Sequence, residues 1–199
     1  MLEINYNIQL MGEPHCPQWI TPLVAMLSGD IALFQSAKKP LQELFGPIEL
    51  ESPLFPFAKT SYYEPTMGPF LQRQFYSFQL LADPVGLANW KLCSNAMEVK
   101  ARQLQQHNSL ERPINLDVGY ITGAKLVLAS TKDCVHRLYL KDGIYAEITM
   151  YFRRDRWVSH QFTFPDFKSG MYDVFLRKAR DHHLRRVKLE RMRDATLPL

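Results

Sequence analysis

The densest run of side chains able to do chemistry lies between Asp117 and Arg137 and contains Lys125, Ser130, Thr131, Lys132, Asp133 and His136. Lysine beside aspartate and histidine suits the capture of an anion and the transfer of a proton. The ammonium attracts the charge, and a carboxylate or imidazole accepts the proton. On this reading Asp117 and Lys132 bind, while Asp133 and His136 are the catalytic candidates. Each residue also has a purely structural account. Thr131 to Asp133 can turn the chain, and His136 can sit on the apolar face of a strand as a hydrogen-bonded core histidine. Arg137 and Glu147 face each other in the hairpin expected below, as a cross-strand ion pair that gains a function only if its face lines a pocket. A second group, Tyr62, Tyr63, Glu64 and Arg73, joins phenol hydroxyls to a guanidinium able to grip a carboxylate or phosphate through two parallel bonds. A packed loop explains the same tyrosines.

Other chemistries find no support in the spacing. Cys134 and His136 share one strand face and His15–Cys16 form a second pair, but nothing ties the pairs into the four-ligand set of a structural zinc, so no metal is expected. There is no GxSxG and no Cys/His nucleophile signature. A phosphate-cradling loop needs GxxxxGK[ST], whose backbone amides and lysine converge on phosphate oxygens. Gly119 to Lys125 (GYITGAK) has the wrong spacing and no following hydroxyl residue, so no nucleotide site and no cofactor is implied.

The elements that must position these residues follow from periodicity. Pro22 to Leu27 is a short apolar run, as in a buried strand. Asp30 can cap a helix carrying Ile31, Phe34, Ala37, Leu41 and Leu44, with a kink or restart expected at Pro40 and a stop at Gly46–Pro47. Ile48 to Glu51 and Leu71 to Gln79 read as strands, separated by a long aromatic and proline-rich loop from Ser52 to Pro69. Asp83–Pro84 starts a helix whose apolar face is expected to be Val85, Ala88, Leu92, Ala96 and Val99. Asp117 is placed as the cap of a helix from Val118 to Ser130, a reading that Gly119 and Gly123 weaken. From Val135 the pattern is strands: pairing residue 140 with 144 gathers Leu138, Leu140, Ile144, Ala146, Ile148 and Met150 on one face and predicts a three-residue Lys141–Asp142–Gly143 loop. A further strand is expected over 156–164, and Met171, Tyr172, Phe175 and Ala179 begin a C-terminal helix. The fold class is therefore α+β: a mixed or antiparallel sheet from a β-α-β-β-α start plus a C-terminal meander, covered by helices.

The runs FGPIELES (45–52), FPFAKTSYYEPTMG (55–68), RPINLDVGYIT (112–122), KLVLASTKD (125–133), HRLYLKDGIYAEITMYFR (136–153) and TFPDFKS (163–169) make the chain resemble the bacterial family known as domain of unknown function 4416. The resemblance spans about residues 21 to 176 and implies no activity.

The charge is asymmetric. Residues 177 to 193 hold eight Lys/Arg against Asp181 and Glu190, whereas the whole chain of 199 residues carries only +4. The organisation expected is a lead-in over 1–20, a single domain over 21–176 and a basic helical extension over 177–199. Within it Arg185, Arg186, Lys188, Arg191 and Arg193 offer a surface for RNA or another polyanion. Three cysteines without a CxxC pair, the absence of a signal-peptide pattern in Met1 to Gly12 and the lack of a long apolar segment predict a reduced, cytoplasmic protein that does not enter membranes. Two functions follow: a small-molecule enzyme or binding protein for an anionic ligand, including phosphorylated ones, or an adaptor working through the tail.

Overall fold

The computed structural model describes residues 17, 19–58, 62–104 and 110–194, so His15 and Cys16 lie outside it. In chain order the elements are β1 (Thr21–Ser28), α1 (Ile31–Phe45), β2 (Ile48–Glu51), β3 (Phe55–Pro56), α2 (Glu64–Met67), β4 (Gln72–Phe78), a 3-10 turn (Pro84–Gly86), α3 (Leu87–Leu104), β5 (Asn115–Ile121), β6 (Lys125–Ser130), β7 (Leu138–Lys141), β8 (Ile144–Arg153), β9 (Arg156–Val158), α4 (Pro165–Lys168) and α5 (Asp173–Asp194). The strands form one nine-stranded sheet in the order β2-β4-β1-β5-β6-β8-β7, with β3 on β4 and β9 on β8. Every pairing is antiparallel, so of the two arrangements expected the sheet takes the antiparallel one.

The apolar run of β1 has a direct cause: this strand lies inside the sheet, between β4 and β5, and is buried from end to end. Val24 and Met26 point to the layer of α1 and α3, where Phe34, Leu41, Tyr76 and Phe78 pack. Leu23 and Ala25 point the other way, against Phe75, Phe167, Tyr172 and Phe175 beneath α4 and α5. Two apolar layers on one strand leave no polar alternation to read. Asp30 caps α1 by accepting from the Ala32 amide at 2.9 Å, and Asp83 does the same for Val85 at 2.9 Å. Gly46 closes α1 with φ 82°, a conformation that favours glycine.

Several expectations are corrected. Pro40 neither ends nor restarts α1, which continues through it to Phe45. The segment 118–130 is no helix but the β5–β6 hairpin, turned at Gly123–Ala124 with the Thr122 hydroxyl accepting from Ala124 and Lys125. The two glycines that weakened the helix are strand and turn residues: a Cβ on Gly119 would stand 2.1 Å from the Val127 carbonyl oxygen. The face expected for α3 is also wrong, because Val85, Leu92 and Val99 are exposed and the buried residues are Leu87, Ala88, Lys91 and Ser94. In the β7–β8 hairpin Tyr139 does face Tyr145, but the loop is the two-residue Asp142–Gly143 turn, with φ 53° and 73°. A register shift between Tyr139 and Lys141 absorbs the extra residue, which is how a two-residue turn coexists with the expected pairing. The strand expected over 156–164 stops at Val158.

The basic segment is not a free extension at its start. Ala179 and His183 are buried, Arg180 donates to the Gly123 carbonyl at 2.7 Å, and Arg186 donates to the Phe78 and Gln79 carbonyls and pairs with Glu49 at 2.6 Å. Among the described residues no helix is long and apolar enough to cross a membrane. The His183 ring lies 3.0 Å from the Thr21 hydroxyl, and burial together with Arg186 and Arg180 pushes its pKa down to about 4. A histidine depressed below its unfolded value of 6.5 stabilises the fold fully above pH 6.5, and that stabilisation is lost as pH falls toward 4. Urea unfolding from pH 7 to pH 4 should show this loss, and His183→Gln should flatten that part of the profile; an unchanged slope in the variant would remove His183 as its source.

Candidate functional site

The cavity that gathers the candidate residues arises from a break in the sheet. β5 pairs with β1 along its whole length, from Thr21↔Ile121 to Leu27↔Asn115. Its ladder with β6 runs only from Ile121↔Leu126 to Gly119↔Leu128, whereas β6 continues beside β8 to Ser130. Beyond Gly119 the two strands separate. Asn115 and Asp117 form one lip, and Ala129 to Lys132 form the other, around a cavity of about 110 Å³.

Separation frees backbone groups of Leu116 that a neighbouring strand would otherwise bond. Helix α3 supplies the partners. The Leu116 amide donates to Glu98 Oε1 at 2.7 Å, and its carbonyl accepts from Lys91 Nζ at 2.9 Å and from the Ser94 hydroxyl at 3.3 Å. This is why the buried face of α3 is polar.

On the opposite face Arg73, almost fully buried, reaches from β4 to two carboxylates. Its Nη1 donates to Asp117 Oδ2 at 3.2 Å and its Nη2 to Asp166 Oδ2 at 3.3 Å, while the guanidinium sits 5.2 Å from the Phe57 ring centre. Tyr172 donates to the same Asp166 oxygen at 3.0 Å. Burial alone would lower the Arg73 pKa, but Asp166 and Asp117 reverse that and hold it protonated. For Asp117 burial favours the acid, yet Lys91, Arg73, Arg112 and a 2.6 Å bond from Asn115 hold its carboxyl below the usual range. Arg112 bonds Asn115 and donates from Nε to Glu98 Oε2 at 2.9 Å. Burial raises the Glu98 pKa, against the pull of Lys91 and Arg112.

Five cations, Arg73, Lys91, Arg112, Lys132 and Arg137, therefore line one cavity with only two carboxylates, Asp117 and Glu147. Glu98 and Asp166 stand behind the wall, already engaged. The Nε donor of Arg73 is shielded and has no hydrogen-bond partner among the described residues. Preset cationic donors around a cavity need little reorganisation to hold an incoming acceptor.

Of the residues singled out in the sequence, Arg73, Asp117, Lys132, Tyr63, Arg137 and Glu147 all line this cavity. Asp133 and His136 do not. Asp133 is exposed and hydrogen-bonds the Tyr145 hydroxyl. His136 lies in the turn before β7 rather than on a strand face, stacked on Phe162 at 4.7 Å, with Nε2 3.1 Å from Glu147 Oε2. Arg137 Nε bonds the same oxygen at 2.7 Å, so the expected Arg137–Glu147 ion pair is present and faces the cavity. Lys132 donates to the Tyr62 hydroxyl at 2.9 Å across the mouth.

Lys91, Glu98, Arg112, Asn115 and Asp166 escaped the sequence reading. A signal for two of them existed: Lys91, Ser94 and Glu98 recur on one helical face with Leu87, a pattern that puts polar groups on the packed side. Among the described residues no three His, Cys, Asp or Glu side chains come together to hold a metal ion.

Fold and site thus define an α+β protein built on an antiparallel sheet whose central split forms a cation-lined cavity. The family model for domain of unknown function 4416 (DUF4416) matches residues 20–183, and the chain belongs to that family. No curated protein and no solved structure matches the chain.

Removing one partner of a buried ion network leaves the others uncompensated and costs about 3–5 kcal/mol. Arg73→Met should destabilise the protein by roughly that amount at pH 7. The deficit should narrow on acidification, because protonated Asp117 no longer needs its partner. A denaturation midpoint unmoved by the substitution would show that Arg73 does not organise the site.

Proposed function

We propose that the cavity binds a small anionic ligand, phosphate or a phosphate ester, as a binding protein or an enzyme. The observation that carries this reading is the convergence of five cations, against two carboxylates, on one cavity. Arg73, Arg112 and Arg137 are held by carboxylates and carbonyls that fix their forks, so anion binding meets preorganised donors rather than flexible side chains. A volume of about 110 Å³ suits a phosphate-sized group. Tyr63 and Lys132 close the mouth. Asp117 and Glu147 set the orientation of the donors and are the carboxylates near enough to the cavity to take up a proton. Asp133 and His136 then act from outside: His136 orients Glu147, and Asp133 shapes the loop that carries Lys132.

The alternative is an adaptor that holds RNA or another polyanion along α5. It is favoured by the exposure of Arg185, Lys188, Arg191 and Arg193 on the outer half of that helix, whereas Arg186 is taken up in docking. The exposed free thiols Cys93 and Cys134 support a reducing compartment such as the cytoplasm.

Inorganic phosphate, added at matched ionic strength, should stabilise the protein. A ligand at a hundred times its dissociation constant contributes about 2.7 kcal/mol, or roughly 5–10 °C in Tm for a chain of this size. Lys132→Ala should weaken the shift without lowering the Tm of the free protein. No shift with phosphate, together with RNA binding lost on truncation after Arg186, would replace the cavity reading by the adaptor one.

A further inference from the structure

Outside the cavity lies an open hollow of about 640 Å³ whose wall shares Tyr63, Arg112 and Lys132 with it. We propose that the ligand is a phosphate ester of a polyhydroxylated carbon skeleton, with the phosphate in the inner cavity and the hydroxylated body in this outer hollow. The inference rests on the anion-binding reading above and deepens it by naming the ligand class.

Size separates the two parts. An inner space near 110 Å³ takes one phosphate-sized group and little more, so a larger molecule anchored there must leave through the shared wall. The hollow is large enough for a body of several carbons.

The wall chemistry selects the body. The Asn95 amide, the Thr66 hydroxyl, the Glu111 carboxylate and the Arg102 guanidinium supply donors and acceptors together. A hydroxyl donates one bond and accepts others, so a polyol uses both kinds of group. Glu98 and Glu111 stand in the same wall as Arg102, Arg112 and Lys132, a lining of mixed charge that suits hydroxyls, unlike the inner cavity with its five cations to two carboxylates. Tyr62 stands edge-on to Tyr63, with ring planes at 90°, and the Lys132 ammonium is held at the Tyr62 hydroxyl, 2.9 Å away, so this edge of the hollow offers a hydroxyl and an ammonium to a polyol.

Calorimetric titration of the full chain with inorganic phosphate, ribose 5-phosphate, AMP and ribose tests this directly. Ribose 5-phosphate should bind at least about tenfold tighter than phosphate, which corresponds to roughly 1.4 kcal/mol from the body. Ribose alone should bind far more weakly. Asn95→Ala, on the outer wall only, should lower the affinity for ribose 5-phosphate severalfold and leave that for phosphate unchanged. Phosphate binding without any gain from the sugar, an equal loss of both ligands in Asn95→Ala, or tighter binding of AMP would overturn the ligand class while leaving the anion site standing. Failure of phosphate and ribose 5-phosphate alike would overturn the anion site, and this inference with it.

Discussion

The site depends on a backbone constraint at Leu116. Where β5 parts from β6 the amide and carbonyl of this residue lose the partners a continuous ladder would give, and a buried peptide group without a partner costs free energy comparable to a lost hydrogen bond. Glu98, Lys91 and Ser94 meet that need from the adjacent helix. The split is stable because α3 presents polar side chains inward, and α3 can present them inward because the split supplies backbone groups to bond. Neither half stands without the other. Gly119 sets where the split begins, since the close approach of the Val127 carbonyl there leaves no room for a side chain.

Around that split the charges form chains that cross both faces of the sheet. Arg73 links β4 to β5 and α4, Arg112 and Lys91 share Glu98, and Arg137 shares Glu147 with His136. Buried ion networks contribute little net stability compared with an apolar core of the same volume. Their physical consequence is geometric: each guanidinium is held by groups from a different element, so its remaining donors point in a fixed direction before any ligand arrives. A cavity walled by cations so restrained differs from a patch of mobile surface lysines, whose ordering entropy opposes binding.

Helix α5 closes the layer opposite α1 and α3, and its basic residues divide into two kinds. Arg180 lies 3.7 Å from the Phe152 ring centre and caps a carbonyl of the β5–β6 turn, and Arg186 and His182 converge on Glu49 of β2. Both arginines are structural, tying the helix to β2 at one place and to β8 and the β5–β6 turn at another. Arg185, Lys188 and Arg191 remain on the exposed side. Net charge alone therefore overstates how much of the segment is available to a partner.

Sequence by itself determined the elements whose signals are local. The caps at Asp30 and Asp83, the stop at Gly46, the apolar run of β1 from Pro22 to Leu27 and the Tyr139–Tyr145 and Arg137–Glu147 pairings all depend on neighbours a few residues apart. Tyr63, Arg73, Asp117, Lys132, Arg137 and Glu147, noted in the sequence, line one cavity, because polar side chains clustered along the chain flank the same strand separation. Only the tertiary structure decided the rest. Periodicity reports which residues are apolar, so the inward face of α3, carrying Lys91, Ser94 and Glu98, was misread as outward. The partners that make it inward belong to Leu116, 18 to 25 residues further along. The same holds for Asp166, which joins the site from a four-residue helix 93 positions beyond Arg73. A buried polar residue is identified by the group that satisfies it, and that group is brought to it by the fold.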